Sequence, residues 1–262
     1  NGGHDLSTDG GQNYFDISVG LPQGAFYSPI RQHPTLGDTY FAGGRSDFYR
    51  SDDNGFNWIQ LGEPFGGDVI TEFTVSKSQP LIIYATSKFE VAKSTDGGNT
   101  WFYVDAGLPT NFANASKIAI SDTDPDKVWV TFSGYSAQDK VYKSLDGGDN
   151  WINISAGLPN IPINTIVFEE GTAADNIYIG ADIGVYFINN TLSSWIPHVN
   201  GLANAAVTDL RIFYGSTPNK LHAATYGRGA WAVDVVTAPC NMAITEVCTT
   251  GPCLFASGLY QA

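Results

Sequence analysis

One short pattern, Ser-x-Asp-x-Gly-x-x-aromatic, occurs four times in this chain, at Ser7–Tyr14, Ser51–Trp58, Ser94–Trp101 and Ser144–Trp151. The starts fall 44, 43 and 50 residues apart within 262 residues. Spacing of this kind means an array of similar supersecondary units, because each unit buries its apolar face only against a neighbour. A second refrain keeps the same register. Gly20-Leu21-Pro22, Gly107-Leu108-Pro109, Gly157-Leu158-Pro159 and Gly201-Leu202 each follow at a similar distance.

The unit at 115–154 shows the internal plan. Lys117–Ile120 is a short run of alternating apolar residues, and Asp122, Asp124, Pro125 and Asp126 make the turn after it. Val128–Phe132 and Lys140–Lys143 read as the second and third strands, and Trp151–Ile154 as the fourth. The same template fits residues 28–61, 70–104 and 163–199, and a sixth unit starts at Thr208–Tyr214. In the unit at 163–199 the turn is degenerate, with Asn190 at the Asp position and Trp195 keeping the aromatic. Repeated four-stranded antiparallel meanders of this length predict an all-β fold, a β-propeller. No stretch has the helical period needed to compete.

The residues of the repeated turn explain themselves locally. The carboxylates of Asp9, Asp53, Asp96 and Asp146 can accept backbone N–H bonds from the turn that follows, and Ser7, Ser51, Ser94 and Ser144 can add bonds of the same kind. Gly11, Gly55, Gly98 and Gly148 suit a positive φ. Tyr14, Trp58, Trp101 and Trp151 offer large apolar area for packing between units. Four equivalent positions spread around a ring do not converge on one reaction centre, so these turns are expected to be structural.

Composition narrows the partners. The formal net charge of −13 opposes phosphate backbones and anionic membrane surfaces, so neither nucleic acid nor membrane is expected as a partner. No apolar run reaches the ~18 residues of a membrane helix. Cys240, Cys248 and Cys253 are the only cysteines and cluster after Val236. They suggest a local disulfide in a separate module, with reduced thiols as the alternative. The chain therefore divides into a propeller over 1–236 and, over 237–262, a linker with the start of a following Cys-containing β module. Asn114, Asn153 and Asn189 open N-glycosylation acceptor triplets.

The repeated turns resemble Asp-boxes, also called BNR repeats, of the sialidase, xyloglucanase and sortilin-like propellers. That resemblance covers residues 1–236 and implies boxes at the blade periphery, away from a central site. Tyr226-Gly227-Arg228-Gly229-Ala230-Trp231 resembles the closing segment of propeller domains in large secreted substrates of type IX secretion. The family implies a secreted or cell-surface location.

No catalytic residue is assigned. The Arg-Ile-Pro motif of sialidases is absent, and Arg31, Arg45, Arg50, Arg211 and Arg228 give no axial triad. A glycoside hydrolase needs two facing carboxylates. Asp38, Asp47, Asp68, Glu72 and Asp182 are candidates, but nothing in the sequence pairs them. His4, His33, His198 and His222 lack metal-ligand spacing, and the Asp122/Asp124/Asp126 run lacks the later Gly and Glu of a calcium loop. No metal or cofactor is expected. Arg228 and Trp231 form a candidate binding pair, against the plainer reading of a strand-end arginine stacked on its neighbour.

The expected role is thus a non-catalytic scaffold for an extracellular glycan, a protein, or other chains of a surface assembly. The alternative is a polysaccharide-degrading glycoside hydrolase, xyloglucanase-like rather than sialidase. The two strands near the start and three in the last unit do not sum to one blade of four, so upstream sequence and a ring of about six to eight blades are expected.

Overall fold

The computed structural model describes residues 4–21, 29–111, 113–136, 138–198 and 205–236. Among the described residues every regular element is a strand. Blade I contains β1 (Asp5–Leu6) and β2 (Phe15–Asp16). Blade II contains β3 (Ile30–Gln32), β4 (Tyr40–Gly43), β5 (Phe48–Ser51) and β6 (Ile59–Gln60). Blade III contains β7 (Glu72–Val75), β8 (Ile83–Thr86), β9 (Val91–Ser94) and β10 (Phe102–Tyr103). Blade IV contains β11 (Asn114–Ile120), β12 (Val128–Ser133), β13 (Val141–Ser144) and β14 (Ile152–Asn153). Blade V contains β15 (Ile163–Phe168), β16 (Ile177–Ala181), β17 (Gly184–Ile188) and β18 (Ile196–Pro197). Blade VI contains β19 (Val207–Phe213), β20 (Lys220–Thr225) and β21 (Gly229–Asp234).

Each blade is an antiparallel meander in sequence order. Strands β7, β11, β15 and β19 pack side by side as the innermost strands of successive blades. The fold is a β-propeller. Its core lies in slices between blades. Phe41 and Phe48 of blade II meet Phe73 and Ile83 of blade III, and Trp129 of blade IV packs on Phe168 of blade V with ring centroids 5.4 Å apart. A fully buried side chain of this size contributes about 2–3 kcal/mol by removal from water, so each interface carries a share of the stability.

The meander puts two kinds of connection at each end of a blade. The turns between first and second strands share one end with the Ser/Asp/Gly turns. The turns between second and third strands share the other end with the loops to the next blade. Three innermost strands carry a register shift at the same level, between Ala115 and Lys117, Ile163 and Thr165, and Val207 and Asp209. A bulge re-aims the side chains that follow it, here at the central axis.

Residues 237–262, with Cys240, Cys248 and Cys253, lie outside the described residues, as do Pro22 and Gly201-Leu202. In the other copies of that refrain, Leu21, Leu108 and Leu158 donate N–H to Ser18, Asp105 and Ser155, with the glycine between them at positive φ. The refrain is a tight turn in which only glycine is unstrained at that position.

Candidate functional site

The four repeated turns share one hydrogen-bond scheme. Gly11, Gly55, Gly98 and Gly148 donate N–H to the Oγ of Ser7, Ser51, Ser94 and Ser144 at 2.7–2.8 Å. Each of these serines donates its hydroxyl to Oδ1 of the aspartate two residues on. That Oδ1 also accepts the backbone N–H of Asn13, Asn57, Thr100 or Asn150 at 2.8–2.9 Å. The Asn13 bonds hold Asp9 at about 2, and the Asn57 and Asn150 bonds likewise lower Asp53 and Asp146. At Asp96 burial pushes upward, but bonds from Thr100, Ser94 and Asn99 outweigh it.

Three of the four turns are also tied to their own blades. Asn54, Gly97 and Gly147 donate N–H to the carbonyls of Asp38, Leu81 and Asp126. Asp38 therefore lies in a peripheral turn. The degenerate copy uses other bonds. Asn190 gives its amide to Asp175 at 2.9 Å and accepts from Lys143, while Asn189 Oδ1 takes the N–H and hydroxyl of Thr191.

The aromatics do not all behave alike. Trp58, Trp151 and Trp195 donate their indole N–H to Ile17, Val104 and Ile154 of the preceding blade, each at 2.7 Å. Trp101 bonds Gly98 of its own turn instead and packs edge-on against Phe48. The same Gly98 carbonyl also accepts the N–H of Gly62 across the interface. Tyr14 is 65% exposed, since no described blade precedes it. Packing between units therefore holds for the tryptophans and not for Tyr14.

On the axis the innermost strands surround a cavity of about 260 Å³. Bonds across it lace the blades together. Glu72 of β7 is buried, with its side chain 4% exposed, and sits between Arg31 of β3 and Lys117 of β11. Arg31 reaches Oε1 at 2.6 Å and Lys117 takes Oε2. At the other end Lys77 of blade III pairs with Glu170 of blade V at 2.6 Å. Asp122 accepts the N–H of Gly171, and Tyr214 accepts that of Glu170. Burial pushes the Tyr214 hydroxyl up to about 12.

The remaining sequence candidates scatter. Asp47 accepts from Gln60, and Asp182 from Asn164. Asp124 caps the N–H of Asp126, whose own side chain pairs with Lys93. The three aspartates of that hairpin turn therefore serve separate partners. Arg50 pairs with Asp52 and Arg211 with Asp209. Among the described residues no group of three His, Cys, Asp or Glu is placed to hold a metal ion. His198 is buried against Tyr178, which lowers it. Arg228 is exposed at the tip of the β20–β21 turn, and its carbonyl accepts the Trp231 indole N–H. Asn114 and Asn153 are exposed, and Asn153 Nδ2 is bonded to Gln138.

One feature gave no sequence motif. The turns between second and third strands present Arg45, Phe89, Tyr135, Ile183 and Tyr226 at successive tips on one end of the propeller, and all but Arg45 are large exposed apolar residues. The tips share a place in the meander but no residue type, so only the topology shows them as a series.

A family model described as Sortilin, neurotensin receptor 3 (Sortilin-Vps10) matches residues 46–178, half of the chain. The chain belongs to the Sortilin-Vps10 family. No curated protein sequence matches this Sortilin-Vps10 chain. Among solved structures it is similar to an ancestral GH74 enzyme, with 17% identity, a TM-score of 0.61, and 78% of this chain and 30% of the enzyme covered. It is similar to the extracellular domain named for a one-component system of B. thetaiotaomicron, with 15% identity, a TM-score of 0.57, and 84% and 28% covered. It is also similar to YCF48 bound to D1 peptide, with 12% identity, a TM-score of 0.54, and 82% and 69% covered. At these identities the likeness is one of fold. The Sortilin-Vps10 chain spans about a third or less of the first two structures. Among its described residues no helix is long and apolar enough to cross a membrane.

Proposed function

We propose that this chain is the propeller of a secreted or cell-surface protein and serves as a non-catalytic platform. Its loop end holds an extracellular partner, which is a glycan, a polypeptide, or another chain of a surface assembly. One observation carries this reading. The carboxylates that line the axial cavity are occupied by donors of the protein itself: Glu72 by Arg31 and Lys117, Glu170 by Lys77, Asp122 by Gly171, and Asp209 by Arg211. Glycoside hydrolysis needs one carboxyl free to protonate a leaving group and another free for water or the sugar, about 5 to 9.5 Å apart. Glu72 has both oxygens engaged. The similar extracellular domain and the peptide-bound YCF48 support a platform role, because they use the same architecture.

Polysaccharide hydrolysis is the second reading, favoured by the GH74 enzymes among the similar structures. The two are separated by incubating the protein with xyloglucan and other β-glucans and measuring new reducing ends. None is expected. Release of product from any of them would overturn the non-catalytic reading.

A further inference from the structure

The loop end of blade III concentrates exposed apolar and acidic side chains. Thr71 donates N–H to Thr86 at 2.8 Å, which sets the loop at 63–70 beside the 87–90 turn. Val104 donates N–H to Val91 at 2.9 Å, which sets Asp105 beside Glu90. The backbone thus gathers Glu63, Asp68, Glu90 and Asp105 around Phe89 and Tyr103. Both rings are exposed, as is neighbouring Val69.

The local charge is unbalanced. Lys88 is the only cation these segments contribute, and its Nζ lies over the Phe89 ring, 4.8 Å from the centroid. Glu90 Oε2 is out of solvent and has no hydrogen-bond donor among the described residues. Burial, Asp68 and Asp105 raise the Glu90 carboxyl against a smaller opposing bond from Ser87, and burial, Glu90, Asp105 and Asp68 raise the Tyr103 hydroxyl. A buried acceptor without a donor is costly, and an aromatic face beside carboxylates attracts an ammonium or guanidinium group. The chain's own Lys88 already adopts that stacking. Neutral sugar would stack on Phe89 and Tyr103 without answering the charge.

Resting on the platform reading above, we propose that this patch docks a lysine- or arginine-rich segment of a partner polypeptide. The cationic groups sit among Glu90, Asp68 and Asp105, and their aliphatic stems lie over Phe89, Tyr103 and Val69.

The test is fluorescence anisotropy of the full chain with a fluorescein-labelled peptide of alternating Lys and Ser, and with its Gln-for-Lys counterpart. Saturable binding that weakens with salt is expected for the Lys peptide alone. The double variant Glu90→Gln/Asp105→Asn should weaken it about tenfold, and Phe89→Ala about threefold. Asp124→Asn/Asp149→Asn removes the same charge at the opposite end and should leave affinity within about twofold. Thermal melts check that each variant is folded. Equal loss in both double variants would reduce the effect to net charge and overturn the proposal. So would absent binding of the Lys peptide, or binding of a neutral β-glucan oligosaccharide in its place that Phe89→Ala abolishes. Those outcomes leave the platform reading standing, since only release of product from a glucan removes it.

Discussion

Trp151 donates its indole N–H to the carbonyl of Val104, 2.7 Å away across the interface between blades III and IV. The bond joins the aromatic of one repeated turn to the outer strand of the preceding blade. Trp58 and Trp195 repeat it with Ile17 and Ile154.

Trp151→Phe keeps an aromatic ring, smaller than the indole, and removes the donor. The Val104 carbonyl then loses its partner, at a cost of about 1–2 kcal/mol. Trp151→Ala adds a cavity and should cost about 3–5 kcal/mol. Urea unfolding gives both values. Equal stability of Trp151→Phe and the parent would show that the indole bond contributes nothing.

Gly62 and Gly107 separate two reasons for glycine. A methyl group on Gly62 would clash with the Asn99 carbonyl oxygen of the next blade, whereas at Gly107, φ +89°, none of the described residues lies within 4 Å. Gly62→Ala must push two blades apart, at about 1–3 kcal/mol. Gly107→Ala pays only for the left-handed backbone, about 1 kcal/mol. Chemical denaturation of the two variants should rank them in that order.

The repeated turns predict acid sensitivity with a definite sign. Asp9 is lowered from 3.8 to about 2, and Asp53, Asp96 and Asp146 are lowered as well. A carboxyl with a depressed folded value contributes stability that is fully present above its unfolded value and lost as pH falls through the folded one. Stability should therefore fall from about pH 4 towards pH 2. Replacing Asp53 and Asp146 with Asn should flatten that slope, as read from thermal melts across the range. An unchanged slope would remove these turns as the source.

Glu72→Gln leaves Arg31 and Lys117 facing each other without an anion. Their side chains are 33% and 30% exposed, so water screens part of the penalty. The expected loss is about 2 kcal/mol, below the 3–5 kcal/mol of a fully buried pair. Glu72→Gln/Lys117→Met should recover part of it in a double-mutant cycle. Additive losses would mean that the two groups do not interact.

Much of the architecture was legible before any coordinates. The strand runs at 117–120 and 128–132 fall inside β11 and β12, and the unit boundaries at 28–61, 70–104 and 163–199 enclose complete blades. Of Asp38, Asp47, Asp68, Glu72 and Asp182, only Glu72 lines the axial cavity. Its neighbours in sequence, Thr71 and Phe73, carry no hint of Arg31 or Lys117. The apolar tips Phe89, Tyr135 and Ile183 left no signal in the sequence, because no fixed residue marks them.

The amino-acid order alone settled the repeating blade. Its turns close through bonds between residues no more than four apart, such as Ser144 to Gly148 and Asp146 to Asn150, and such bonds need no distant partner. Assembly around the axis decided the rest. Arg31 meets Glu72 across 41 residues and Lys117 meets it across 45, in an encounter set by how far each blade rotates from the last and by where the bulges re-aim the inner strands. Those are properties of packed sheets, and no short window of sequence encodes them.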